Sequence, residues 1–180
     1  MFALSIRTER LTLRPYTLAD APRVQLLAGE WDVARMVSSV PHPYPDGLAE
    51  SWIGMHDAVR AAGRGYPFAV TRGDELIGSA GVDRRADGAL ELGYWLGKPY
   101  WGAGYMSEAA AAVVDFAMGW LAAPHIVAGA LAENPASLRI LTKLGFAATG
   151  VEERESKSRY GLVACNMLAL SRAVWSAKRV

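Results

Sequence analysis

The sequence predicts one α/β domain with a mixed, mostly antiparallel sheet of about seven strands and helices on both faces. Two turn signals, at Gly73-Asp74 and at 86–88, join three consecutive β-rich runs into an antiparallel meander. An alanine-rich helical stretch then leads to the apolar run 126–131. That run fits a buried strand parallel to 91–96, because a helix of this length makes the crossover that parallel strands require.

The composition limits the classes of function. The 180 residues are 52% hydrophobic and 21% charged, with a net charge of +1, which is typical of a globular protein rather than a disordered one. They suffice for one domain, 1–180, with a substantial core. No basic run suggests nucleic acid, and the lone Cys165 excludes an internal disulfide and a cysteine metal cluster. With no cleavable signal or 18-residue apolar span, we expect a cytoplasmic protein without metal and without membrane contact.

The amino-terminal third predicts a strand followed by short helices. Leu11 and Leu13 alternate with polar residues up to Pro15, and Thr17 with Asp20 indicates a capped helix that ends at Gly29. A short helical piece is expected at 31–37. Alternate prolines make 38–47 an extended loop, which either borders a substrate site or is a plain connector.

The middle of the chain predicts two longer helices around the meander. Asp46 is expected to cap a helix over 48–62, and a second helix begins near Met106 and stops before Pro124. The residues expected on the buried sides are Trp52, Ile53, Met55 and Val59 in the first helix, and Val113, Phe116, Ala117 and Trp120 in the second.

The last third predicts one helix and two strands. Asn134 as cap and Pro135 as first residue open a helix that ends at Gly145. The runs 146–155 and 162–170 are predicted strands, and a turn at Val174-Trp175 follows.

The stretch 91–112 contains the strongest functional signal, a strand, a glycine loop and a helix start. Gly102 and Gly104, with only Ala103 between them, leave backbone N–H groups at a helix amino terminus uncovered, which favours a phosphate or pyrophosphate. The alternative is a tight turn with close packing. A dinucleotide fingerprint is disfavoured because Ser107 stands where a third glycine should be, and no P-loop Gly-Lys-Ser/Thr follows.

Four motifs together resemble one enzyme family. They are ELGYWL (91–96), YWGAGY (100–105), NPAS (134–137) and KLGF (143–146). The combination resembles the GNAT superfamily of acetyl-CoA-dependent N-acetyltransferases. Within it, the chain is most similar to the branch of ribosomal-protein N-terminal acetyltransferases. The segment TERLTLRP (8–15) resembles the opening strand of that branch. The resemblance implies the same sheet with a V-shaped split between the Glu91 and Ile126 strands.

The resemblance also implies a cofactor site for acetyl-CoA as cosubstrate. The pantetheine arm would run along Tyr94, Trp95 and Leu96, and Asn134 would contact its amide, although a helix cap explains Asn134 equally well. The amides expected to bind the pyrophosphate are those of Trp101, Gly102, Ala103, Gly104, Tyr105 and Met106, with Ser107 just inside the helix.

Acetyl transfer from a thioester needs a neutral amine, a polarised carbonyl and a proton for the leaving thiolate. Many superfamily members carry an acid tyrosine at the position of Leu141, which cannot donate a proton. Ser137 is therefore the candidate acid, with Tyr160 second, or Ser137 is only a ligand contact. Glu91 is the candidate base, and the alternatives are Glu153, Glu155 or a chain of water molecules. A glutamate that merely lies at a solvated edge of the sheet would have no such role.

The acceptor side is predicted to be formed by 31–52 and 152–160. Trp31, Tyr44 and Glu155 are the candidate substrate-binding residues, and Trp52 and Tyr160 offer further aromatic walls unless they belong to the core. The sequence thus predicts an N-acetyltransferase acting in a ternary complex on a primary amine, either a peptide or protein N-terminus or a small-molecule amine. The alternative is a non-catalytic acyl-CoA sensor or interaction module. A homodimer is left open.

Overall fold

The computed structural model describes residues 4–178, which form an open sheet of eight strands in the order β1-β2-β3-β4-β5-β6-β8-β7. The strands are β1 (Ile6–Arg7), β2 (Thr12–Arg14), β3 (Gly65–Arg72), β4 (Glu75–Arg84), β5 (Leu90–Leu96), β6 (His125–Leu131), β7 (Ala147–Ser156) and β8 (Gly161–Ser171). The helices are α1 (Ala21–Ala28), α2 (Trp31–Ala34), α3 (Leu48–Gly54), α4 (His56–Ala61), α5 (Tyr105–Gly119), α6 (Pro135–Leu144) and α7 (Arg172–Ala177). The predicted fold class is confirmed, and the short β1 is the strand that the sequence analysis did not anticipate.

The split in the sheet lies at the single parallel pairing, between β5 and β6. These strands pair only from Leu90 to Leu92 with Ile126 to Ala128, whereas β6 pairs with β8 along its whole length. Beyond Leu92 the edge of β5 that faces β6 has no strand partner in the described sheet. The predicted V-shaped split is therefore confirmed, and it opens at the carboxyl ends of both strands.

Helices cover both faces of the sheet and create two separate cores. On one face α5 packs on β4 and β5 through small buried residues such as Ala109, Ala110 and Val113, which permit a close approach. On the other face α1 to α3 bury Val24, Leu27, Ala49 and Ile53 against Trp95 of β5. Because successive residues of β5 point to opposite faces, Glu91, Gly93 and Trp95 share the face of the amino-terminal helices.

Two predicted helix caps, at Asn134 and at Thr17 with Asp20, are confirmed by side-chain hydrogen bonds. The Asn134 side chain accepts a hydrogen bond from the Ser137 N–H at 3.0 Å, and Pro135 is the first residue of α6. Asp20 accepts the Thr17 N–H at 2.8 Å, as in a capping box.

The predicted helix over 48–62 is wrong in three respects. It is broken into α3 and α4, and its N-cap is Gly47 with φ of +76°, while the Asp46 carboxylate accepts a hydrogen bond from Gln25 instead. The break turns Met55 outward, where it is 57% exposed. Trp120 was likewise expected to be buried but is 82% exposed, because α5 ends at Gly119 and leaves it beyond the last turn.

The break also buries His56 in an aromatic cluster. Its ring lies edge-on to Trp52, with centroids 4.4 Å apart, and to Tyr16, at 5.1 Å. Within residues 4–178 neither ring nitrogen has a hydrogen-bond partner. Burial, and secondarily the charge of Arg60, lowers the pKa of His56 from its usual 6.5 to about 4.

No helix within residues 4–178 is long and apolar enough to cross a membrane.

Candidate active site

The split in the sheet opens into a cavity of about 830 Å³, here called the cleft. One part of it, the cofactor half, is lined by the loop and helix start at 101–107, by Tyr94 and by the start of α6. The other part, the acceptor half, is lined by 33–39 and by Asp83, Glu91 and Arg154. The two halves meet where β5 and β6 part.

The glycine loop has the backbone geometry that an anion site needs. Gly102 and Gly104 both have φ of +79°, a left-handed conformation that favours glycine. The first hydrogen bond into α5 runs from the Glu108 N–H to the Gly104 carbonyl, so the N–H groups of 105–107 precede it and point out of the helix. The Met106 side chain is buried in the core and does not cover these donors. The residues present therefore fit the pyrophosphate of a CoA thioester.

Side chains hold this loop in place, and Arg10 is the main one. Its guanidinium donates to the Ala103 carbonyl at 2.9 Å and pairs with Glu108 at 2.7 Å, and Thr8 donates to the same carboxylate at 2.5 Å. The Trp101 indole donates to the Leu96 carbonyl at 2.7 Å, which fixes the loop to the end of β5. In the sequence, Arg10 is one of the polar residues that alternate with Leu11 and Leu13, and no local signal indicates its contact with Glu108, which lies 98 positions away.

Ser137 and Tyr94 meet at the junction of the two halves. The Tyr94 hydroxyl lies 2.8 Å from Ser137 Oγ, and both residues line the cleft. Ser137 is buried at the first turn of α6, while Tyr94 projects from the part of β5 that β6 has left. Burial raises the pKa of the Tyr94 phenol to about 12, so that the group stays protonated near neutral pH. The resemblance predicts Tyr94 along the pantetheine arm, whereas its hydrogen bond to Ser137, 43 positions away, does not follow from any local motif.

Glu91 lies in the cleft, but both of its carboxylate oxygens are engaged by arginines. Arg154 of β7 donates to one oxygen at 2.5 Å, and Arg85 donates to the other at 3.2 Å. Arg85 also lies 3.7 Å from Glu152. Glu91 therefore anchors two guanidinium groups in the wall of the cleft, which leaves neither of its oxygens without a charged partner.

Four of the predicted site residues, the second candidate acid and the three candidate substrate-binding residues, are not brought into the cleft. Tyr160 is 80% exposed and donates to the His42 carbonyl at 3.2 Å. The Trp31 ring contacts the ring of His42 at a tilt, with centroids 5.2 Å apart, and Tyr44 packs against the amino-terminal core. Glu155 is exposed on β7. None of these four lines the cavity.

The wall of the acceptor half is closed by contacts between two distant segments, here called the clasp: 34–42 and the β7–β8 turn 157–160. The Lys157 N–H donates to the Ser38 carbonyl at 2.9 Å, and Ser158 Oγ donates to Ala34 at 3.2 Å. Arg159 donates to the Arg35 carbonyl at 2.8 Å and also pairs with Glu133. Parts of both predicted segments, within 33–39 and at Arg154, line the cleft, and the contacts that join 34–42 to 157–160 each end on a backbone carbonyl.

Within residues 4–178, no group of three or more His, Cys, Asp or Glu side chains is arranged to hold a metal ion.

Comparisons with known proteins agree with this geometry. Residues 10–147 match the family described as acetyltransferase (GNAT) domain. An uncharacterized N-acetyltransferase, p20 of Bacillus licheniformis, is 30% identical over 171 residues, which cover 92% of this chain and 95% of that protein.

Solved structures share the fold at low identity. The ribosomal-protein-S5-alanine acetyltransferase of Vibrio fischeri superposes with a TM-score of 0.79 at 19% identity and covers 96% of this chain and 98% of its own. RimJ of Mycobacterium smegmatis, solved in complex with CoA-disulfide, gives 0.74 at 21% identity, with coverage of 89% and 81%. The split sheet, the glycine loop and the family match lead to one conclusion: this chain belongs to the GNAT family of acetyltransferases.

Proposed function

We propose that the protein transfers an acetyl group from acetyl-CoA to a primary amine by direct attack within a ternary complex. The observation that carries the proposal is the Tyr94–Ser137 hydroxyl pair, which lies between a phosphate-binding loop and a separate acceptor half of the cleft. A thioester held by the loop would reach the split, and an amine from the other half would meet it there.

In this proposal Ser137 supplies the proton that the leaving thiolate needs. The amine nitrogen forms a bond to the acetyl carbon, the carbon–sulfur bond breaks, and the thiolate takes a proton from Ser137 Oγ. The Tyr94 hydroxyl, 2.8 Å from Ser137 Oγ, returns a proton to Ser137 and is itself reprotonated from water in the cleft, which also takes up the proton that the new amide nitrogen loses. Tyr160 has no part in this scheme, because its hydroxyl is bonded to the clasp.

The proposed acceptor is a peptide or protein N-terminus or a small-molecule amine. The structural neighbour from Vibrio fischeri is named for an alanine of ribosomal protein S5, which supports testing N-terminal peptides first. A cytoplasmic location is part of the proposal, since the buried thiol of Cys165 requires no oxidising compartment.

The test is CoA release from acetyl-CoA with peptides that begin with alanine or serine and with lysine amide, using acetyl-blocked peptides as control. Ser137→Ala should lower kcat by about 100-fold with little change in acetyl-CoA binding, and Tyr94→Phe should lower it by a smaller factor. Tyr160→Phe should remain active. Binding of acetyl-CoA without turnover of any amine would contradict the proposal and favour the acyl-CoA sensor.

A further inference from the structure

Asp83 is a second carboxylate of the cleft, on the strand next to Glu91. It stands directly opposite Glu91 in the antiparallel pairing of β4 with β5, so both side chains lie on the same face of the sheet. Asp83 also lines the acceptor half. No local motif in the sequence marks Asp83, because its place in the cleft depends on the pairing of β4 with β5.

The two carboxylates differ in their partners. Glu91 gives both oxygens to Arg154 and Arg85, whereas the carboxylate of Asp83 has no hydrogen bond or ion pair with any of residues 4–178. The pair of arginines is already committed to Glu91 and Glu152. Asp83 is thus the acceptor-half carboxylate without a cation.

The surrounding backbone makes room for this unpaired group. Asp83 Oδ1 lies over Gly65 of β3, where a Cβ atom would come within 2.2 Å of it. On the other side, Gly93 shares the face of Glu91 and borders open space, since a Cβ there would have no neighbour within 4 Å. A bare strip of sheet therefore runs from the split towards Asp83.

We infer that Asp83 receives the ammonium group of the acceptor and takes its proton before attack. The inference rests on the proposed function. The amine crosses the open strip over Gly93, its extra proton passes to the Asp83 carboxylate, directly or through one water, and the neutral nitrogen then attacks the thioester. The protonated Asp83 returns the proton to bulk water, to which the acceptor half is open, while the thiolate is protonated from the Ser137 side.

The electrostatics of the site agree with this role. Partial burial, and then the charge of Glu91, raises the pKa of Asp83 above its ordinary value. A carboxylate whose pKa is raised accepts a proton more readily, and Asp83 is exposed to the solvent of the cleft, where an ammonium group can reach it.

The test compares Asp83→Asn with Glu152→Gln. Glu152 belongs to the same charge network, with Arg154 at 3.4 Å, but does not line the cleft. With acetyl-CoA and the alanine- and serine-initiated peptides, Asp83→Asn should lower kcat/KM by at least about 30-fold, and Glu152→Gln by less than about threefold. Asp83→Glu, which restores the carboxylate, should recover part of the loss.

Stability and cofactor binding separate a functional role from a structural one. Removal of an unpaired, partly desolvated charge should leave the Tm of Asp83→Asn equal to or above that of the wild type, with an unchanged acetyl-CoA thermal shift. A kcat/KM within threefold of wild type, or a fall in Tm that accounts for the lost activity, would overturn the inference while the proposed function stands. A wild-type protein that turns over no amine would overturn both.

Discussion

The two halves of the cleft are formed by different kinds of groups, backbone in one and side chains in the other. The cofactor half is made of contiguous backbone, with Gly102 and Gly104 in left-handed conformations at the start of α5. The acceptor half is made of side chains and loops that lie far apart in the chain, such as Arg154 on Glu91 and Arg159 on the Arg35 carbonyl. A backbone site tolerates changes of most side chains but depends on its glycines, whereas a side-chain network can be altered one residue at a time. The halves should therefore respond to mutation independently.

The largest effect is expected from Gly104→Val, which should abolish acetyl-CoA binding. A branched residue is strained at φ of +79° and would cover the helix start. In a thermal-shift titration the stabilisation of roughly 2.7 kcal/mol, expected at 100 times the dissociation constant, should disappear. Gly47→Val is the matched control, because Gly47 caps α3 at φ of +76° with nothing within 4 Å of a Cβ. It should cost similar stability and keep the acetyl-CoA shift.

A smaller effect, confined to the acceptor half, is expected from Arg159→Ala. It removes one contact of the clasp, to the Arg35 carbonyl, together with the ion pair between Arg159 and Glu133. The KM for the peptide acceptor should rise about tenfold at saturating acetyl-CoA, because the wall loosens and binding energy is lost. Lys157→Ala is the control, since the clasp uses only the Lys157 backbone N–H. An equal loss of acetyl-CoA binding would show that the halves are not independent.

The converse change is Arg10→Ala, which should act on the cofactor half alone. The guanidinium holds the Ala103 carbonyl and Glu108, so the loop should lose order without losing its donors. We expect acetyl-CoA to bind about five times more weakly, measured by titration calorimetry, with an unchanged acceptor KM once the cosubstrate is saturating. Arg7→Ala, in the neighbouring strand β1, should leave the affinity as it is. A raised acceptor KM would contradict the separation of the halves.

The smallest effect on either half is expected from His56, which lies outside the cleft. Its folded-state pKa of about 4 is below the usual 6.5, so the unfolded chain binds the proton more tightly. The free energy of unfolding should fall by roughly 2 kcal/mol between pH 7 and pH 5 and level off below the folded pKa. His56→Phe should remove this part of the acid dependence in urea titrations, whereas His125→Phe, at an exposed position, should retain it. A wild-type protein with the same unfolding free energy at both pH values would contradict the burial of a neutral imidazole.

The sequence predicted the parts of the molecule that depend on local rules. The glycine loop, the Asn134 cap and the crossover between β5 and β6 each follow from a few adjacent residues. The Tyr94–Ser137 pair, 43 residues apart, and the Arg154–Glu91 pair, 63 apart, depend on how strands and helices are placed relative to one another. The aromatic acceptor residues were chosen by type, and their actual contacts were set by the clasp, which turns Tyr160 towards His42.

The order β6-β8-β7 also has a consequence for biosynthesis. The strand made last lies between two strands made earlier, so β7 has no neighbour in the sheet, and β6 lacks one along its outer edge, until β8 leaves the ribosome. Contacts such as Ser158 to Ala34 join residues 124 positions apart. Such long-range contacts form late in folding. The glycine loop therefore leaves the ribosome well before the wall of the acceptor half can form. A complete cleft, and with it acetyl transfer, must then wait until residue 171 has left the ribosome.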